Sequence, residues 1–257
     1  MSLQHKVCII TGGGSGIGRG AAIMMAQNGA KMALVGRTAE KVEAVKDEVI
    51  AAGGTALAFA LDVADCDAVQ NMVKDVLDSF GRIDVLVNNA GHGSRHRRLL
   101  TITPAEIRSV IDSNLIGTIF CTQAVVPTML EAKQGTIINV SSLAGVTAGP
   151  FSGSVYGPTK AAIINFTEFL NVDLKNTGIR ASVVIPGEVD TPILSKRLIP
   201  PSDDSRAIMV DVEETSAAIN LIASLPQRTN IPSLVIRPTV QRDLSKEVEP
   251  TPWVSVS

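Results

Sequence analysis

The sequence is poor in cysteine and in aromatic residues, and its charges nearly cancel. Its 257 residues include three cysteines, one tyrosine and one tryptophan, and aromatic residues make up 3% of the chain. An odd number of scattered cysteines is typical of a reducing compartment rather than of a disulfide framework. A net charge of −2 offers no basic field to nucleic acid or to an anionic membrane. We therefore expect neither of these partners.

Long apolar runs and targeting segments are also missing. No uninterrupted apolar run reaches about 18 residues, so the sequence predicts no transmembrane helix. The first predicted strand begins within about five residues of the N-terminus, which leaves no room for a secretory signal. We therefore expect a cytoplasmic protein.

Strand-length runs rich in Val and Ile alternate with amphipathic stretches of helix length. This alternation is typical of a parallel sheet covered by helices on both faces, and no linker divides the chain. The sequence predicts one domain over residues 1–257, a doubly wound α/β (Rossmann) fold with about seven parallel strands. The predicted strands are Val7–Thr11, Met32–Gly36, Thr55–Ala60, Ile83–Asn88, Gly135–Ser141, Arg180–Ile185 and Ser233–Ile236. The predicted helices are Gly18–Asn28, Glu40–Ala52, Cys66–Phe80, Pro104–Glu131, Gly157–Thr177 and Val212–Leu225.

The first predicted strand runs into a turn of glycines, Gly12-Gly-Gly-Ser-Gly-Ile-Gly18. Gly12 can adopt backbone angles that a side chain forbids, while Gly16 and Gly18 allow close approach of a pyrophosphate and of the sheet. The following helix directs its free N–H groups at the phosphates. An ordinary strand-to-helix turn also needs glycines, but the continuing alternation of strands and helices favours dinucleotide binding. Ser15 and Ile17 lie in the same turn and are predicted to bind the cofactor with the glycines.

The end of the second strand distinguishes between dinucleotides. An acidic residue there binds the ribose 2′-hydroxyl, but this strand ends in Gly36 followed by Arg37. A guanidinium suits a 2′-phosphate, which favours NADP(H) over NAD(H). The alternative is that Arg37 faces solvent or stacks on adenine without selecting a cofactor.

Two further strand ends carry candidate cofactor ligands. Asp62-Val63 follows the third strand, where the carboxylate can accept from the adenine amine or can serve as a helix cap before Asp65. Asn89, Ala90 and Gly91 follow the fourth strand, where amides beside a glycine suit a cofactor crevice or an ordinary turn.

A candidate acid/base pair lies far downstream. Tyr156 and Lys160 are four residues apart, on one face if the segment is helical, and a nearby ammonium lowers the pKa of a phenol. Such pairs are common on plain surface helices. Ser141-Ser142 ends the fifth strand, where a hydroxyl can donate to a substrate carbonyl. Asn114 interrupts the apolar face of a long predicted helix. Its side chain either bonds locally or kinks the helix, or it has a functional role.

In combination these motifs resemble those of the short-chain dehydrogenase/reductase family, over nearly the whole chain up to about Thr191. The resemblance implies hydride transfer between a nicotinamide and a ketone, aldehyde or alcohol, and a homo-dimer or homo-tetramer. It implies a tetrad in which Tyr156 is the acid/base and Ser142, favoured over Ser141, orients the carbonyl. Lys160 lowers the Tyr156 pKa and holds the ribose, and Asn114 supports a proton path. The residues that the resemblance places along the nicotinamide are Pro186, Gly187, Val189 and Thr191.

Three irregular stretches remain. His92–Arg98 contains three arginines and is interpreted either as an electropositive rim for an acidic substrate or as a solvated loop. Gly93 between His92 and His96 and the lack of an acidic neighbour argue against a metal site. Residues 191–211 are predicted to form a mobile lid over the substrate. The tail Val248–Ser257 either packs on a second subunit or is disordered.

Overall fold

A seven-stranded parallel sheet is the centre of the computed structural model, which describes residues 2–149, 151–197, 199–241 and 244. The strands lie in the order β3-β2-β1-β4-β5-β6-β7, and the predicted Rossmann-type α/β fold is confirmed. The strands are β1 (Val7–Thr11), β2 (Lys31–Gly36), β3 (Thr55–Ala60), β4 (Val85–Asn88), β5 (Gly135–Val140), β6 (Ile179–Pro186) and β7 (Ser233–Ile236). Since chain order reverses between β1 and β4, a crevice opens there at the carboxyl edge of the sheet.

Helices cover both faces of the sheet. One face packs on α1 (Gly16–Gln27), α2 (Ala39–Ala51) and α8 (Val212–Ser224). The other packs on α3 (Cys66–Phe80), α5 (Gly117–Ala132) and α6 (Tyr156–Asp173). Two short helices, α4 (Pro104–Ile111) and α7 (Asp203–Arg206), and two 3₁₀ turns, Leu143–Gly145 and Pro192–Lys196, complete these elements. The central strands are buried on both faces, which explains why they are continuous Val/Ile runs rather than alternating ones.

The predicted single helix Pro104–Glu131 is wrong in its middle. A π-helical turn over Asp112–Ile116 separates α4 from α5. Asn114, in this turn, is fully buried and bonds to the backbone of His92 instead of facing solvent. The spacing of apolar residues predicts a helix but does not distinguish α-helical from π-helical backbone hydrogen bonds, so the π turn was not predicted.

The combined segment Pro104–Ala132 is long and apolar enough to cross a membrane, with 33% of its most apolar window buried. The sequence-based prediction counted only uninterrupted apolar runs and so did not register it. Cys121, Val125 and Met129 on α5 belong to the core against the sheet. The buried core helix of a protein outside the membrane can be equally long and apolar, so the length and composition of this segment are weak evidence for a membrane span.

The segment predicted as a lid is joined to the body at both ends. Val189 forms a parallel bridge with Val210, Asp190 N–H donates to Val210 O at 2.9 Å, and Val210 N–H donates to Glu188 O at 3.0 Å. Between these anchors lie the turn Pro192–Lys196 and α7. The predicted tail Val248–Ser257 lies outside the described residues.

Candidate active site

The glycine turn joins β1 to α1 at the crevice. Gly12 has φ +66°, which L side chains rarely adopt, and Gly16 has φ +51°. A Cβ on Gly18 would lie 2.2 Å from Gly12 O, so α1 can approach the turn only because this residue is glycine. Ile17 is partly buried against the core, and Ser15 is the N-cap of α1 without a capping side-chain bond. The turn therefore presents a helix N-terminus and a hydroxyl to one place, as a phosphate requires.

The fourth strand braces this turn from the other side of the crevice. Thr11 Oγ1 accepts from the backbone N–H groups of Asn89 and Ala90, at 3.0 Å each. Asn89 Nδ2 donates to Thr11 O at 3.0 Å, while Gly91 continues the chain beside the Asn114 side chain. Two of the predicted cofactor residues, Asn89 and Ala90, thus hold the glycine turn in shape. Thr11 was not predicted as part of this brace, because a buried threonine at a strand end has no distinctive pattern.

Arg37 directly follows the carboxyl end of β2. Its Nη1 is 4.0 Å from Asp62 Oδ2, and both side chains are about half exposed, at 57% and 47%. Thr38 is the N-cap of α2 and makes no capping side-chain bond. A guanidinium, a hydroxyl and a helix N-terminus therefore meet where the sequence places a 2′-phosphate.

Asp62 and Val63 have separate surroundings. Asp62 Oδ1 accepts from Ala64 N–H at 3.0 Å, whereas the N-cap of α3 is Asp65, which accepts from Ala68 N–H. The Val63 side chain is buried against the position of Gly117 in α5. Asp62 thus remains at the sheet edge near Arg37, while Val63 packs inward.

Tyr156 begins α6, and its side chain is hydrogen-bonded to that of Ser142, which follows β5. Desolvation raises the Tyr156 pKa, while the Ser142 hydrogen bond and the charges of Arg97 and Arg197 oppose this rise. Ser141, the alternative considered from the sequence, instead donates from its buried Oγ to Lys160 O at 2.7 Å. The structure therefore brings Ser142 rather than Ser141 to the phenol.

Lys160 lies one turn further along α6 and is 5% exposed. Its Nζ donates to Val140 O at 2.8 Å and lies 5.8 Å from the centre of the Tyr156 ring. Burial lowers the Lys160 pKa to about 8. The cations that act on the Tyr156 pKa in this structure are those of Arg97 and Arg197, so a direct effect of Lys160 on the phenol stays a prediction.

Asn114 connects the π turn to the loop after β4. Its Nδ2 donates to His92 O at 3.0 Å, and its Oδ1 accepts from His92 N–H at 2.9 Å. A Cβ on Gly91 would lie 2.8 Å from Asn114 Oδ1 and 3.6 Å from Lys160 Nζ. Asn114 and Lys160 therefore converge on the loop that ends the crevice.

The predicted nicotinamide residues follow β6. Pro186 ends the strand, and Gly187 N–H donates to Ile236 O in β7 at 2.8 Å. Val189 is buried in the bridge to Val210. Thr191 is 8% exposed, and its Cγ2 lies 3.4 Å from where a Gly16 Cβ would stand. Residue 191 thus reaches back to the glycine turn.

Sequence reasoning missed two residues beside the tyrosine, Phe151 and Arg197. The guanidinium carbons of Arg97 and Arg197 lie 5.3 Å and 5.2 Å from the centre of the Phe151 ring. Arg97 belongs to the three-arginine run that the sequence indicated as a possible electropositive rim. Arg197 and Phe151 had no such signal, because their proximity depends on how two distant loops fold.

The crevice fits a dinucleotide cofactor by its own geometry. A Cβ at Gly12 or at Gly18 would lie 2.8 Å or 2.6 Å from Asn89 Nδ2, so only glycine lets the turn lie this close to the chain after β4. The turn and Arg37 offer phosphate-binding groups at two places along the same edge. In the described residues, no group of His, Cys, Asp and Glu side chains is arranged to hold a metal ion.

Comparison with known proteins places this geometry among characterised relatives. Residues 6–199 match the family model of the short chain dehydrogenases. The 3-oxoacyl-(acyl-carrier-protein) reductase of Synechocystis sp. is 39% identical over 191 residues, covering 74% of this chain and 76% of that protein. A metagenomic short-chain oxidoreductase solved with NADP is 32% identical, with a TM-score of 0.81 over 94% of this chain and 100% of that one. The 3-ketoacyl-(acyl-carrier-protein) reductase of Brucella melitensis, solved with NADH, is 30% identical, with a TM-score of 0.84 over 93% and 99%.

Proposed function

This chain belongs to the short-chain dehydrogenase family, and on that premise we propose that it is an NADP(H)-dependent oxidoreductase. It interconverts a ketone or aldehyde and the corresponding alcohol, with a carbonyl, 3-oxoacyl or hydroxy-acid substrate. The observation that carries the proposal is the hydrogen bond between Tyr156 and Ser142, with buried Lys160 one turn away at the cofactor edge. A protein that only senses a dinucleotide has no need of this arrangement.

The residues of the site divide the chemistry among them. When bound, the nicotinamide supplies or accepts a hydride. In reduction, Tyr156 donates its proton to the carbonyl oxygen, and its raised pKa keeps the phenol protonated at neutral pH. Ser142 donates a hydrogen bond to the same oxygen and stabilises its developing charge. Lys160 holds the ribose hydroxyls, and Asn114 supports the water path that returns a proton to Tyr156.

The cofactor preference is proposed from Arg37. Related structures contain NADP in one case and NADH in another, so the family by itself leaves the choice open. Arg37 and the neighbouring Thr38 hydroxyl, which makes no capping hydrogen bond to α2, support NADP(H) because both can donate to a 2′-phosphate. An NAD(H)-linked alcohol dehydrogenase is the second candidate, supported by the nearby carboxylate of Asp62, which repels a phosphate.

The remaining parts of the proposal concern the whole chain. We propose a single domain, a homo-dimer or homo-tetramer, a cytoplasmic location, and a lid over residues 191–211. All three cysteines are free, in keeping with a reducing compartment. Contact between Thr191 and the glycine turn supports the lid, because that contact puts the start of the segment over the crevice.

The first experiment is a turnover assay on purified protein. Absorbance of the reduced nicotinamide is followed with NADPH and with NADH against ketones, aldehydes, β-keto esters and hydroxy acids. NADPH-selective turnover is expected. Binding of NADPH without turnover of any carbonyl or alcohol would favour a dinucleotide-sensing module instead.

The second experiment tests Arg37. Arg37→Asp is expected to lower the ratio of kcat/KM for NADPH to that for NADH by about 10- to 100-fold, because a charge-assisted bond to the phosphate is replaced by repulsion. Arg228→Asp, at an exposed position outside the crevice, is the matched control and should leave the ratio unchanged. An unaltered ratio in Arg37→Asp would reject its role in selection.

A further inference from the structure

Two arginines from distant segments meet at one aromatic ring beside the proposed acid/base. Arg97, in the loop after β4, places its guanidinium carbon 5.3 Å from the Phe151 ring centre and donates from Nη1 to Phe151 O at 2.7 Å. Arg197, after the 3₁₀ turn Pro192–Lys196, places its guanidinium carbon 5.2 Å from the same ring. The Arg97 segment flanks the start of α6, where Tyr156 lies, since a Cβ on Gly153 would lie 3.3 Å from Arg97 Cβ.

These side chains are held by the surrounding structure. Arg197 Nη1 pairs with Glu188 Oε1 at 3.0 Å, and the arginine side chain is only 16% exposed. The Arg97 backbone carbonyl accepts from Ser154 N–H at 3.0 Å, two residues before Tyr156. Stacking on an aromatic face further restricts a guanidinium. Little conformational entropy is therefore left to lose when a ligand binds there.

The two cations also reach the reacting phenol. Their charges both lower the Tyr156 pKa, against the larger effect of desolvation and together with the Ser142 hydrogen bond. Charges that stabilise a phenolate also attract an anion brought to the same place. Glu188, which pairs with Arg197 at 3.0 Å, offsets part of this field.

We propose that Arg97 and Arg197 bind a carboxylate carried by the substrate itself, so that the chain acts on small oxo acids and the corresponding hydroxy acids. This inference rests on the proposed function and specifies its substrate class. A carboxylate matches the bidentate geometry of a guanidinium. Because the arginines act on Tyr156, the anion lies a few bonds from the reacting carbonyl, unlike the phosphates of a thioester carrier, which are many bonds away.

The experiment compares matched acids and esters. Turnover with NADPH is measured for 4-oxopentanoate against its methyl ester and for acetoacetate against its methyl ester, with acetoacetyl-CoA as a phosphate-bearing substrate. In the wild type, kcat/KM is expected to be higher for each acid than for its ester. Arg97→Gln and Arg197→Gln should each lower the acid-to-ester ratio by about 10- to 100-fold.

Controls separate charge from folding. Arg95→Gln is the matched control, since Arg95 lies in the same loop but is exposed, and it should leave the acid-to-ester ratio unchanged. Arg97→Lys keeps the charge and should retain more of the ratio than Arg97→Gln. The melting temperature and NADPH affinity of each variant confirm an intact fold, so that a lost ratio reports on the substrate.

The outcomes distinguish this inference from the proposed function. Efficient ester turnover with an acid-to-ester ratio that Arg97→Gln and Arg197→Gln leave unchanged would overturn the carboxylate site while the oxidoreductase stands. A preference for acetoacetyl-CoA that the two variants abolish would assign the arginines to a phosphate and also overturn it. If no carbonyl is turned over, calorimetry with 4-oxopentanoate and NADP⁺-loaded protein decides: binding weakened in both variants supports the site, and no binding rejects it.

Discussion

Tyr156 is the only tyrosine of the chain, so no second phenol can take over its proposed role. Tyr156→Phe removes one oxygen and is expected to lower kcat by about 10²- to 10⁴-fold, the usual contribution of a positioned acid. Affinity for NADPH, measured by titration of its fluorescence, should stay close to that of the wild type. Substantial residual turnover would show that another group moves the proton.

Burial of the Lys160 ammonium lowers the free energy of unfolding by an amount that depends on pH. Its folded pKa is about 8, below the usual 10.5, because burial disfavours the charged form. The penalty is fully present below pH 8 and disappears as pH rises from 8 to 10.5, where the unfolded chain binds more protons. The shift corresponds to roughly 3 kcal/mol.

Lys160→Met is therefore expected to melt above the wild type at pH 7 by several degrees, with the difference shrinking at pH 10. Differential scanning calorimetry of the cofactor-free protein measures both. Lys175→Met, at an exposed position, should show no pH-dependent difference. A melting difference for Lys160→Met that is the same at both pH values would contradict the lowered pKa.

At the residue scale, the sequence indicates a candidate where chemistry and chain position coincide. Tyr156 and Ser142 could be proposed because Tyr156 opens α6 and Ser142 follows β5 at the carboxyl edge of a parallel sheet, and their catalytic roles stay predictions. Arg197 could not be proposed, since its place beside Phe151 results from loop packing that no spacing rule describes.

At the scale of elements, Glu106 joins the basic loop to α4. Its carboxylate accepts from the backbone N–H groups of Arg95 and His96 and forms a capping box with Thr103. Partial burial, which alone raises the Glu106 pKa, is outweighed by hydrogen bonds from His96 and Thr103, and the pKa falls to about 2. The resulting stabilisation is present above pH 4.5 and is lost as pH falls towards 2.

Glu106→Gln is expected to lower the melting temperature by about 2–4 °C at pH 7, the effect of a lost helix cap in a chain of this size. The difference from the wild type should narrow at pH 3, where the native carboxyl begins to protonate. Glu131→Gln, exposed near the end of α5, is the control. A difference that does not change between pH 7 and pH 3 would place the effect in packing rather than in charge.

Element boundaries show which signals the sequence carries. The predicted strand Thr55–Ala60 and helix Cys66–Phe80 have the observed bounds, because Gly53-Gly54 marks the start of the strand, and the Asp65 cap and Gly81 mark the ends of the helix. The long fourth helix was predicted without its π turn, which forms around the buried amide of Asn114. Local propensity fixed the first two elements, whereas a tertiary contact decided the last.

At the scale of the whole molecule, α6 carries apolar side chains that this chain alone leaves in water. Phe169 is 54% and Val172 is 73% exposed, and their spacing of three puts them on one side of the helix. Exposed apolar groups that cluster in this way are typical of a protein interface. They support the proposed homo-oligomer.

Phe169→Glu is expected to reduce the molar mass in solution towards that of one chain, 27.0 kDa, because it introduces a charge into the apolar side of α6. Light scattering after size exclusion measures the mass. Ile50→Glu, an exposed apolar position on α2, should leave the mass unchanged. A wild-type protein already monomeric at micromolar concentration would reject the proposed oligomer.

The brace between Thr11 and Asn89 has a consequence for the order in which the protein acquires its function. The two residues are 78 positions apart, yet their bonds hold the glycine turn in shape. During synthesis, a nascent chain can pair β1 with β2 and β2 with β3 early, but β1 gains its second neighbour only when β4 has left the ribosome. We therefore expect the proposed affinity for a dinucleotide to arise only once β4 has paired with β1, so that the cofactor stabilises chains that have passed this point and not shorter N-terminal intermediates.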